Sequence, residues 1–264
     1  MLYFLKLGGS LITQKARAYT ARRKTLARLA AEVAAAQREN PELQLVLGHG
    51  SGSFGHVAAQ KHGTRHGVQG AAQWAGFTEV WRQARALDQI VLDAFQQTGL
   101  PVMAFPASAA CIANQGKVEQ WHVTPIRRAL QSGLIPVIYG DVIFDTQMGG
   151  TILSTEELFM HLARELAPQR ILLAGNEPGV WADYPQRQRL VQTLTHQTYQ
   201  HYSQNVGGSW AVDVTGGMAK KVESMLRICA EVPGLQALIF SGNQEQAVYR
   251  ALLGESPGTI IFKD

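Results

Sequence analysis

The sequence has little cysteine and no long apolar run, and each scarcity excludes a class of protein. Only Cys111 and Cys229 occur among its 264 residues, too few for a disulfide framework, so a reducing compartment is the simplest expectation. No run approaches the roughly 18 apolar residues of a membrane-spanning helix. The opening residues MLYFLKLGGSL are too rich in glycine for a signal peptide. The composition therefore predicts a cytoplasmic protein with no membrane partner.

Several motifs that carry chemistry are also missing. The chain has no Walker sequence G-x-x-x-x-G-K-[ST], no nucleophile elbow and no metal-type spacing of cysteine and histidine. Its net charge is +4, but much of the excess lies within residues 17–28, which are typical of the solvated face of a helix. No basic stripe interleaved with aromatic residues indicates nucleic-acid binding. We therefore expect neither a protein-bound metal site nor a nucleic-acid partner.

The chain does contain a regular alternation of short apolar runs and longer helical patterns. Hydrophobic residues make up 46% of it, enough for a substantial core. The apolar runs predict strands at 3–7, 43–47, 101–105, 134–140, 170–175, 237–240 and 259–262, with a hairpin at 142–153. The helical spacing of apolar residues predicts helices at 22–38, 71–97, 124–132, 155–166, 216–231 and 244–253. Residues 176–210 read as irregular.

Strands separated by helices predict an α/β fold, a three-layer sandwich with a mainly parallel central sheet covered by helices on both faces. We expect one domain over 1–264, with its softest division near residue 168. An N-terminal lobe of about 1–168 would then bind the acceptor and carry the phosphate loops, and a C-terminal lobe of about 169–264 would bind the nucleotide. Ligands of such sheets bind at the carboxyl ends of the strands, so the loops that follow strands are where chemistry is expected.

The loop after the first strand reads Lys6-Leu7-Gly8-Gly9-Ser10. Two successive glycines let the backbone approach an anion closely and turn its N–H groups towards it. Lys6 lies within the strand itself, where a lysine is seldom buried without a partner. We expect its ammonium group to reach a phosphate, the alternative being a head group that extends into solvent.

The loop after the second strand runs from Gly50 to His56 as GSGSFGH and satisfies G-x-G-x-x-G, the dinucleotide-binding pattern. That pattern needs a helix opened by its third glycine and an acidic residue about twenty positions on. Here a histidine follows, the glycines at 63 and 67 indicate a loop or a short helix and then a loop, and no such acidic residue is present. A dinucleotide oxidoreductase is therefore the last candidate, and His56 is expected to bind an anion.

Three more segments suit phosphate chemistry. Tyr139-Gly140-Asp141-Val142 ends a strand with a glycine and a carboxylate, and Ser154-Thr155-Glu156-Glu157 opens a helix. The second group either caps the helix or faces a nucleotide. Asp213-Val214-Thr215-Gly216-Gly217 opens a further helix, and Lys220 and Lys221 follow within a turn. Glycine-rich strand ends with several lysines and no Walker motif favour phosphoryl transfer by a route other than the P-loop.

Together, KLGGSLIT, SFGH, YGDV, STEE and DVTGGMAKK resemble the motifs of the amino acid kinase superfamily, and within it those of the isopentenyl phosphate kinases. The resemblance covers roughly residues 3–262, and SFGH and KLGGSLITxK are its most specific parts. It implies the amino acid kinase fold, phosphorylation of isopentenyl phosphate by ATP with Mg²⁺ in isoprenoid biosynthesis, and a homodimer.

The resemblance also implies roles by position. The residues implied to bind ATP are Lys6, Gly8, Gly9, Ser10, Gly52, Asn176, Gly217 and Lys221. Lys15 is implied to stabilise the transferring phosphoryl group, so Lys6, Lys15 and His56 form the catalytic set. The residues implied to hold the acceptor phosphate are Ser51, Gly55, His56 and the backbone of Gly140.

Three positions depart from the family pattern. Ser51 stands where glycine is usual, a mild change if the backbone N–H is what matters. Thr155-Glu156 stands where a Gly-Asp pair is common. Asn176 replaces an aspartate near the adenosine. These departures leave the reaction type intact and bear on nucleotide affinity and preference.

An apolar acceptor tail needs an apolar wall, and Phe77, Val80, Trp81 and Ala84 recur at helical spacing after the phosphate loop. The stripe is either that wall, with Phe77 and Val80 as substrate-binding residues, or simply core. A polar pocket instead would favour a kinase of the phosphonate fosfomycin, a relative with a similar histidine-bearing loop. A kinase for an amino acid or for uridylate is less compatible with SFGH. A non-catalytic nucleotide-binding regulator is the alternative from another class.

Overall fold

A computed structural model describes residues 1–14, 16–205 and 217–264, and an eight-stranded sheet forms its centre. In chain order its strands are β1 (Leu2–Leu7), β2 (Gln44–His49), β3 (Val102–Ala104), β6 (Ile135–Tyr139), β9 (Arg170–Gly175), β12 (Thr193–Leu194), β13 (Gln236–Ser241) and β14 (Gly258–Ile261). Their spatial order is β12-β14-β13-β9-β1-β2-β6-β3. Neighbours run parallel except β13 and β14, so the predicted mainly parallel sheet is confirmed.

A smaller sheet lies beside the main one. It is formed by β4 (Cys111–Asn114), β5 (Lys117–Trp121), β7 (Asp141–Asp145) and β8 (Gly149–Leu153), in the order β5-β4-β7-β8. The predicted hairpin corresponds to β7 and β8, which pair antiparallel. Neither β4 nor β5 was predicted, because both are short and β5 is largely exposed. A two-stranded ribbon joins β10 (Val180–Trp181) to β11 (Leu190–Val191).

Helices cover both faces of the main sheet. They are α1 (Gly9–Ile12), α2 (Arg23–Glu39), α3 (Gly52–His62), α4 (Gly70–Gln96), α5 (Thr124–Gln131), α6 (Thr155–Leu166), α7 (His196–Asn205), α8 (Gly217–Glu231) and α9 (Ala247–Leu252). The prediction of an irregular segment over 176–210 is wrong, since α7 and three short strands lie within it. The second glycine loop is a helix from Gly52 onward, as the alternative of a short helix followed by a loop had allowed.

The alternation of side chains along β1 shows how the three layers form. Tyr3, Leu5 and Leu7 point to one face and pack with α2, α4 and α9. Phe4 points to the other face and packs with α6 and α8, its ring centroid 5.0 Å from that of Phe159. Because successive residues of a strand face opposite sides, a strand that is apolar throughout is buried between two helical layers. The three-layer α/β architecture is therefore confirmed.

The sheet also brings the predicted loops to one edge. Since β1, β2, β6 and β9 are parallel, their carboxyl ends lie side by side. The residues that follow these strands are Gly8, Gly50, Gly140 and Asn176, and each belongs to a segment that the sequence singled out.

Candidate phosphoryl-transfer site

The two glycine loops at the carboxyl ends of β1 and β2 lie in direct contact. A Cβ atom on Gly9 would approach the Cα of Gly52 to 2.7 Å, and one on Gly50 would approach the nitrogen of Gly9 to 2.8 Å. Such distances are closer than side chains tolerate, so glycine is needed at these positions for backbone to meet backbone. Gly52 also has φ +47°, a conformation that glycine adopts readily.

Thr13 connects the same two loops through its buried hydroxyl group. The hydroxyl donates to the carbonyl of Gly9 at 2.7 Å and accepts the N–H of Ser53 at 3.0 Å. It thereby fixes the first turn of α1 against the first turn of α3. The leading N–H groups of a helix have no carbonyl partner within it, and two such turns side by side form an electropositive backbone surface suited to phosphate. Sequence reasoning did not single out Thr13, although it belongs to the quoted motif KLGGSLIT.

Lys6 is buried beside the first loop, and its ammonium group forms an ion pair with Glu156 at the start of α6. Burial by itself raises the pKa of Glu156, but the charge and hydrogen bond of Lys6 and the charge of Lys221 outweigh it, so this pKa lies below its ordinary value. Glu156 is therefore ionised at neutral pH and lies close to two cations. The expected alternative, a Lys6 head group in solvent, is wrong.

The start of α6 is capped, which confirms the first of the two alternatives for STEE. Ser154 accepts the N–H of Glu157 at 3.2 Å, while the Glu157 carboxylate accepts the N–H of Ser154 at 2.6 Å. These two bonds form a capping box. Glu156 projects instead towards Lys6. The cap thus sets the angle at which Glu156 enters the site.

The nucleotide side of the site adjoins β9 and β13. Gly8 donates its N–H to the carbonyl of Ala174 at 2.8 Å. The Asn176 side chain donates to the carbonyl of Ser10 at 3.4 Å and accepts from Asn243 at 3.2 Å. Asn176 is therefore joined to the first glycine loop, which the resemblance also assigns to ATP. Gly217 and Lys221 lie in the first turns of α8, whereas Lys15 and the motif residues 213–216 lie outside the described residues.

The residues implied to hold the acceptor phosphate lie at the start of α3. Gly55 is buried against Ser51, since a Cβ atom on Gly55 would lie 2.6 Å from the Ser51 hydroxyl oxygen. The serine that replaces the family's usual glycine is accommodated because residue 55 has no side chain. His56 is exposed on the same helix. Ser51, Gly55 and His56 therefore lie together beside the contact between Gly9 and Gly52.

Gly140 and Asp141 lie at the neighbouring strand end, after β6. The buried Asp141 carboxylate accepts the N–H groups of Val142 at 2.8 Å and Ser108 at 3.3 Å. Burial raises its pKa to about 6, although these hydrogen bonds act in the opposite direction. Asp141 thus differs from Glu156, whose pKa is lowered.

The apolar stripe of α4 is mostly buried. Phe77 and Val80 pack with Ala58, Val68 and Val142 in a small cluster between α3, α4 and the second sheet. Trp81 does not share this face, because it is 36% exposed and has the Arg85 guanidinium 5.5 Å from its ring centroid. Phe77 and Val80 therefore lie together beside α3, while Trp81 lies at the exposed edge of the stripe and is not part of the core.

A buried histidine beneath the second loop was missed by sequence reasoning. His49 ends β2 with no exposed surface and makes a 3.1 Å contact with the carboxylate of Asp88 on α4. Its ring stacks on Tyr139 with centroids 5.4 Å apart. The only available signal was the sequence LGHG, in which a polar residue interrupts a buried strand.

Two searches over the described residues bear on metals and membranes. Within them, no group of three or more His, Cys, Asp or Glu side chains could hold a metal ion. Over the same part of the chain, no helix is both long and apolar enough to span a bilayer.

Comparison with known proteins places these observations in a wider group. The model of the amino acid kinase family matches residues 1–241. The isopentenyl phosphate kinase of Methanocaldococcus jannaschii is 31% identical over 99% of this chain and 98% of its own length. That of Haloferax volcanii is 32% identical over 98% of each chain. A solved structure described as an isopentenyl phosphate kinase superposes with a TM-score of 0.83 at 29% identity, covering 99% of this chain and all of the other.

Proposed function

Since the chain belongs to the amino acid kinase family, and within it to the isopentenyl phosphate kinases, we propose that it transfers the γ-phosphoryl group of ATP to isopentenyl phosphate. The products are isopentenyl diphosphate and ADP. The observation that carries this proposal is the contact between the two glycine loops. It places two anion-binding backbone surfaces side by side, with paired charges next to the first and His56 on the second.

The chemistry asks little of the protein beyond position and charge. A monophosphate ester has a second pKa of about 6, so at neutral pH it is largely a dianion. One of its oxygens attacks the γ-phosphorus while the bond to the bridging oxygen breaks and ADP leaves. Because the attacking oxygen already carries the negative charge, no general base is required. The difficulty is to align two anions in a low-dielectric site.

The residues divide this work by position. We assign the ATP phosphates to Gly8, Gly9, Ser10 and Gly52, with Lys6 and Lys221 neutralising their charge and Glu156 holding the two lysines in place. Gly217 and Asn176 would contact the nucleotide from the C-terminal part of the chain. Lys15 is assigned to the transferring phosphoryl group on the resemblance alone. Negative charge on the transferring phosphoryl group and on the leaving ADP is redistributed in the transition state. Cations held in fixed positions stabilise that charge most effectively.

The acceptor is assigned to the second loop. The backbone of Ser51, Gly55 and Gly140 would hold its phosphate, and His56 would donate a hydrogen bond that sets the line of attack. The cluster containing Phe77 and Val80 would contact its apolar tail. This assignment is supported by the position of His56 on the first turns of α3, next to the donor loop but on the side away from Asn176.

We also propose Mg²⁺ as the accompanying ion. The described residues offer no cage of protein ligands, which suits an ion held mainly by phosphate oxygens and water. When bound, Mg²⁺ neutralises charge on the nucleotide phosphates. The lobes of about 1–168 and 169–264, the homodimer and the cytoplasmic location remain proposals that rest on the resemblance, and light scattering after gel filtration tests the dimer.

The test of the function is an acceptor panel with purified protein and Mg-ATP. The acceptors are isopentenyl phosphate, dimethylallyl phosphate, geranyl phosphate, fosfomycin and UMP. We expect the highest kcat/KM with isopentenyl phosphate and one ADP formed for each diphosphate. A preference for fosfomycin or UMP, or ADP formation without a phosphorylated product, would overturn the proposal.

A further inference from the structure

His49 and Asp88 form a buried polar contact that the proposed chemistry does not use. Neither residue has more than 3% of its surface exposed, and the Nε2 atom of His49 lies 3.1 Å from the carboxylate of Asp88. A carboxylate only accepts hydrogen bonds, so Nε2 is the donor. Buried polar groups are retained at a cost unless they are satisfied. This pair therefore calls for an explanation beyond core packing.

His49 is the point at which several segments of the site meet. It precedes Gly50, the first residue of the acceptor loop, and its carbonyl accepts the Thr155 hydroxyl at 2.6 Å. Its ring stacks on Tyr139, the residue before Gly140. The ends of β2 and β6 and the start of α6 are thus fixed relative to one another by one side chain and its carbonyl.

Asp88 extends this arrangement to α4. It lies on the same face of that helix as Phe77, Val80 and Ala84, at spacings of three, seven and eleven residues from Phe77. All four are buried. The face of α4 that supplies the apolar wall therefore also carries the Asp88 carboxylate. That carboxylate accepts a hydrogen bond from His49, the residue that precedes the acceptor loop.

The acceptor loop has separate connections to the donor side. Gly50 donates its N–H to the carbonyl of Leu7 at 2.9 Å, and Ser53 donates to the Thr13 hydroxyl at 3.0 Å. These bonds hold the loop against β1 and α1 without any contribution from α4. Since α3 also packs on α4 through Ala58, Phe77 and Val80, loss of the contact between His49 and Asp88 would change the spacing of α4 from the start of the loop at Gly50 and leave these two bonds in place.

We propose that His49 and Asp88 are positioning residues that fix the distance between the acceptor-phosphate loop and the apolar wall on α4. They thereby set how much a substrate's tail contributes to catalysis. The inference rests on the proposed function and adds to it two residues that touch neither substrate. A displacement of about 1 Å between a binding wall and a reacting group lowers rates by up to about 10²-fold.

The test compares two acceptors, isopentenyl phosphate and ethyl phosphate. Ethyl phosphate keeps the phosphate group but lacks most of the apolar tail. The measured quantity is the ratio of their kcat/KM values. We expect Asp88→Ala to lower this ratio at least about tenfold while the KM for ATP stays within about twofold. Asp88→Asn keeps an oxygen that accepts from Nε2, so we expect it to retain most of the ratio. An equal loss with both acceptors, or no loss, would overturn the inference.

A second histidine–carboxylate contact on α4 provides the matched control. His62 at the end of α3 lies 2.7 Å from Glu79, so Glu79→Ala breaks the same type of contact to the same helix, α4, farther from the loop. We expect the ratio to stay at the wild-type value, and an equal fall there would also overturn the inference.

Stability and function are separated by two further comparisons. Replacing both partners together, as His49→Leu with Asp88→Leu, leaves neither member of the pair buried without the other. We expect this double variant to fold yet still lower the ratio of kcat/KM values, and a folded double variant with the wild-type ratio would contradict the inference.

The wild-type protein distinguishes the inference from the proposed function. If it is inactive with isopentenyl phosphate, the proposed function is overturned; if it is active and Asp88→Ala leaves the ratio unchanged, the inference alone is overturned.

Discussion

The glycine loop after β1 and the glycine loop after β2 lie against each other, but their surroundings differ. The first is bordered by opposite charges, Lys6 with Glu156, and is connected to the C-terminal part of the sheet through Asn176. The second is supported from below by the contact between His49 and Asp88 and carries an exposed histidine, His56.

The difference teaches how one sheet edge can handle two anions. A triphosphate requires neutralisation of several charges, and the paired lysines and glutamate suit that purpose. An acceptor monophosphate must keep its nucleophilic charge and needs a direction of attack. A loop with backbone N–H groups, one histidine and a fixed apolar wall meets that need.

Removing a charge beside the glycine loop after β1 should have the largest effect on kcat. Lys6→Met removes a cation next to the donor loop, so we expect kcat to fall by about 10²–10³-fold. It also leaves the partly buried Glu156 without its nearest cation, and the free energy of unfolding should fall by about 1–3 kcal/mol. Lys61→Met removes a lysine paired with Glu79 at the surface and should change neither quantity. Near-wild-type kcat in folded Lys6→Met protein would remove Lys6 from the mechanism.

The contact between the loops can be tested by adding a single methyl group. Gly52 is the first residue of α3 and has φ +47°, and Gly63 follows the last residue of that helix with φ +62°. Of these two glycines, only Gly52 has atoms close to the position of the missing side chain. Gly63→Ala should cost about 1–2 kcal/mol from backbone conformation alone. Gly52→Ala should cost about 1–3 kcal/mol more through overpacking and lower kcat/KM for both substrates. Equal effects of the two substitutions in thermal unfolding and kinetics would argue against tight loop packing.

The acceptor side is addressed by His56→Ala. A lost hydrogen bond to a charged phosphate is worth about 1.5–3 kcal/mol, so the KM for isopentenyl phosphate should rise about 10–100-fold. The KM for ATP should change by no more than about twofold, because another loop binds the nucleotide. His66→Ala, at an exposed histidine ten positions further along, serves as the control. A collapse of ATP affinity with unchanged acceptor KM would reverse the assignment of the loops.

The apolar wall gives a smaller effect, on selectivity. Phe77→Ala should shift kcat/KM by about tenfold in favour of longer prenyl phosphates, since it opens space in the cluster around Val80. Trp81→Ala, on the exposed face of the same helix, should leave chain-length preference unchanged. If Phe77→Ala lowers the rate equally with isopentenyl and geranyl phosphate, Phe77 is core and not wall.

The carboxylates of Asp141 and Glu156 extend the comparison to pH, because their pKa values are shifted in opposite directions. Asp141 has a pKa raised by burial to about 6, so its protonated form is favoured by folding, and the stability it contributes is lost as pH rises from about 4 to 6. Asp141→Asn removes that dependence and should gain about 1–3 kcal/mol on the wild type across this window. Glu156, whose pKa is lowered, has the opposite sign. Chemical denaturation at pH 4 and pH 7 measures the difference, and a constant offset between the two proteins would contradict it.

Sequence patterns predicted most of the main sheet because its strands are apolar runs buried on both faces, such as β1 and β9. They failed for β4 and β5, which are short and show no strong alternation; the two strands pair with each other locally, and β4 joins the second sheet through β7, about thirty residues along the chain. The helix that begins at Gly52 was left open, since glycine disfavours a helix. Its start depends on Thr13 and Gly9, which lie about forty residues earlier.

The site was predictable as a set of residue types but not as a set of contacts. Glycine loops after strands indicated phosphate binding, and parallel pairing explains why they meet at one edge. The partner of Lys6 lies 150 positions along the chain, and the partner of His49 lies 39 positions along. No local pattern connects such pairs. The difference between the surroundings of the two loops, on which the proposed division into a donor and an acceptor loop rests, therefore became visible only in the fold.

The most direct test of this division is a crystal structure with a non-hydrolysable ATP analogue and isopentenyl phosphate bound together. We predict the terminal phosphates of the analogue at Gly8 and Gly9, and the acceptor phosphate at the start of α3 within hydrogen-bonding distance of His56. Its tail should point towards Phe77 and Val80. An acceptor phosphate bound at the first loop, or a tail directed away from α4, would contradict the account.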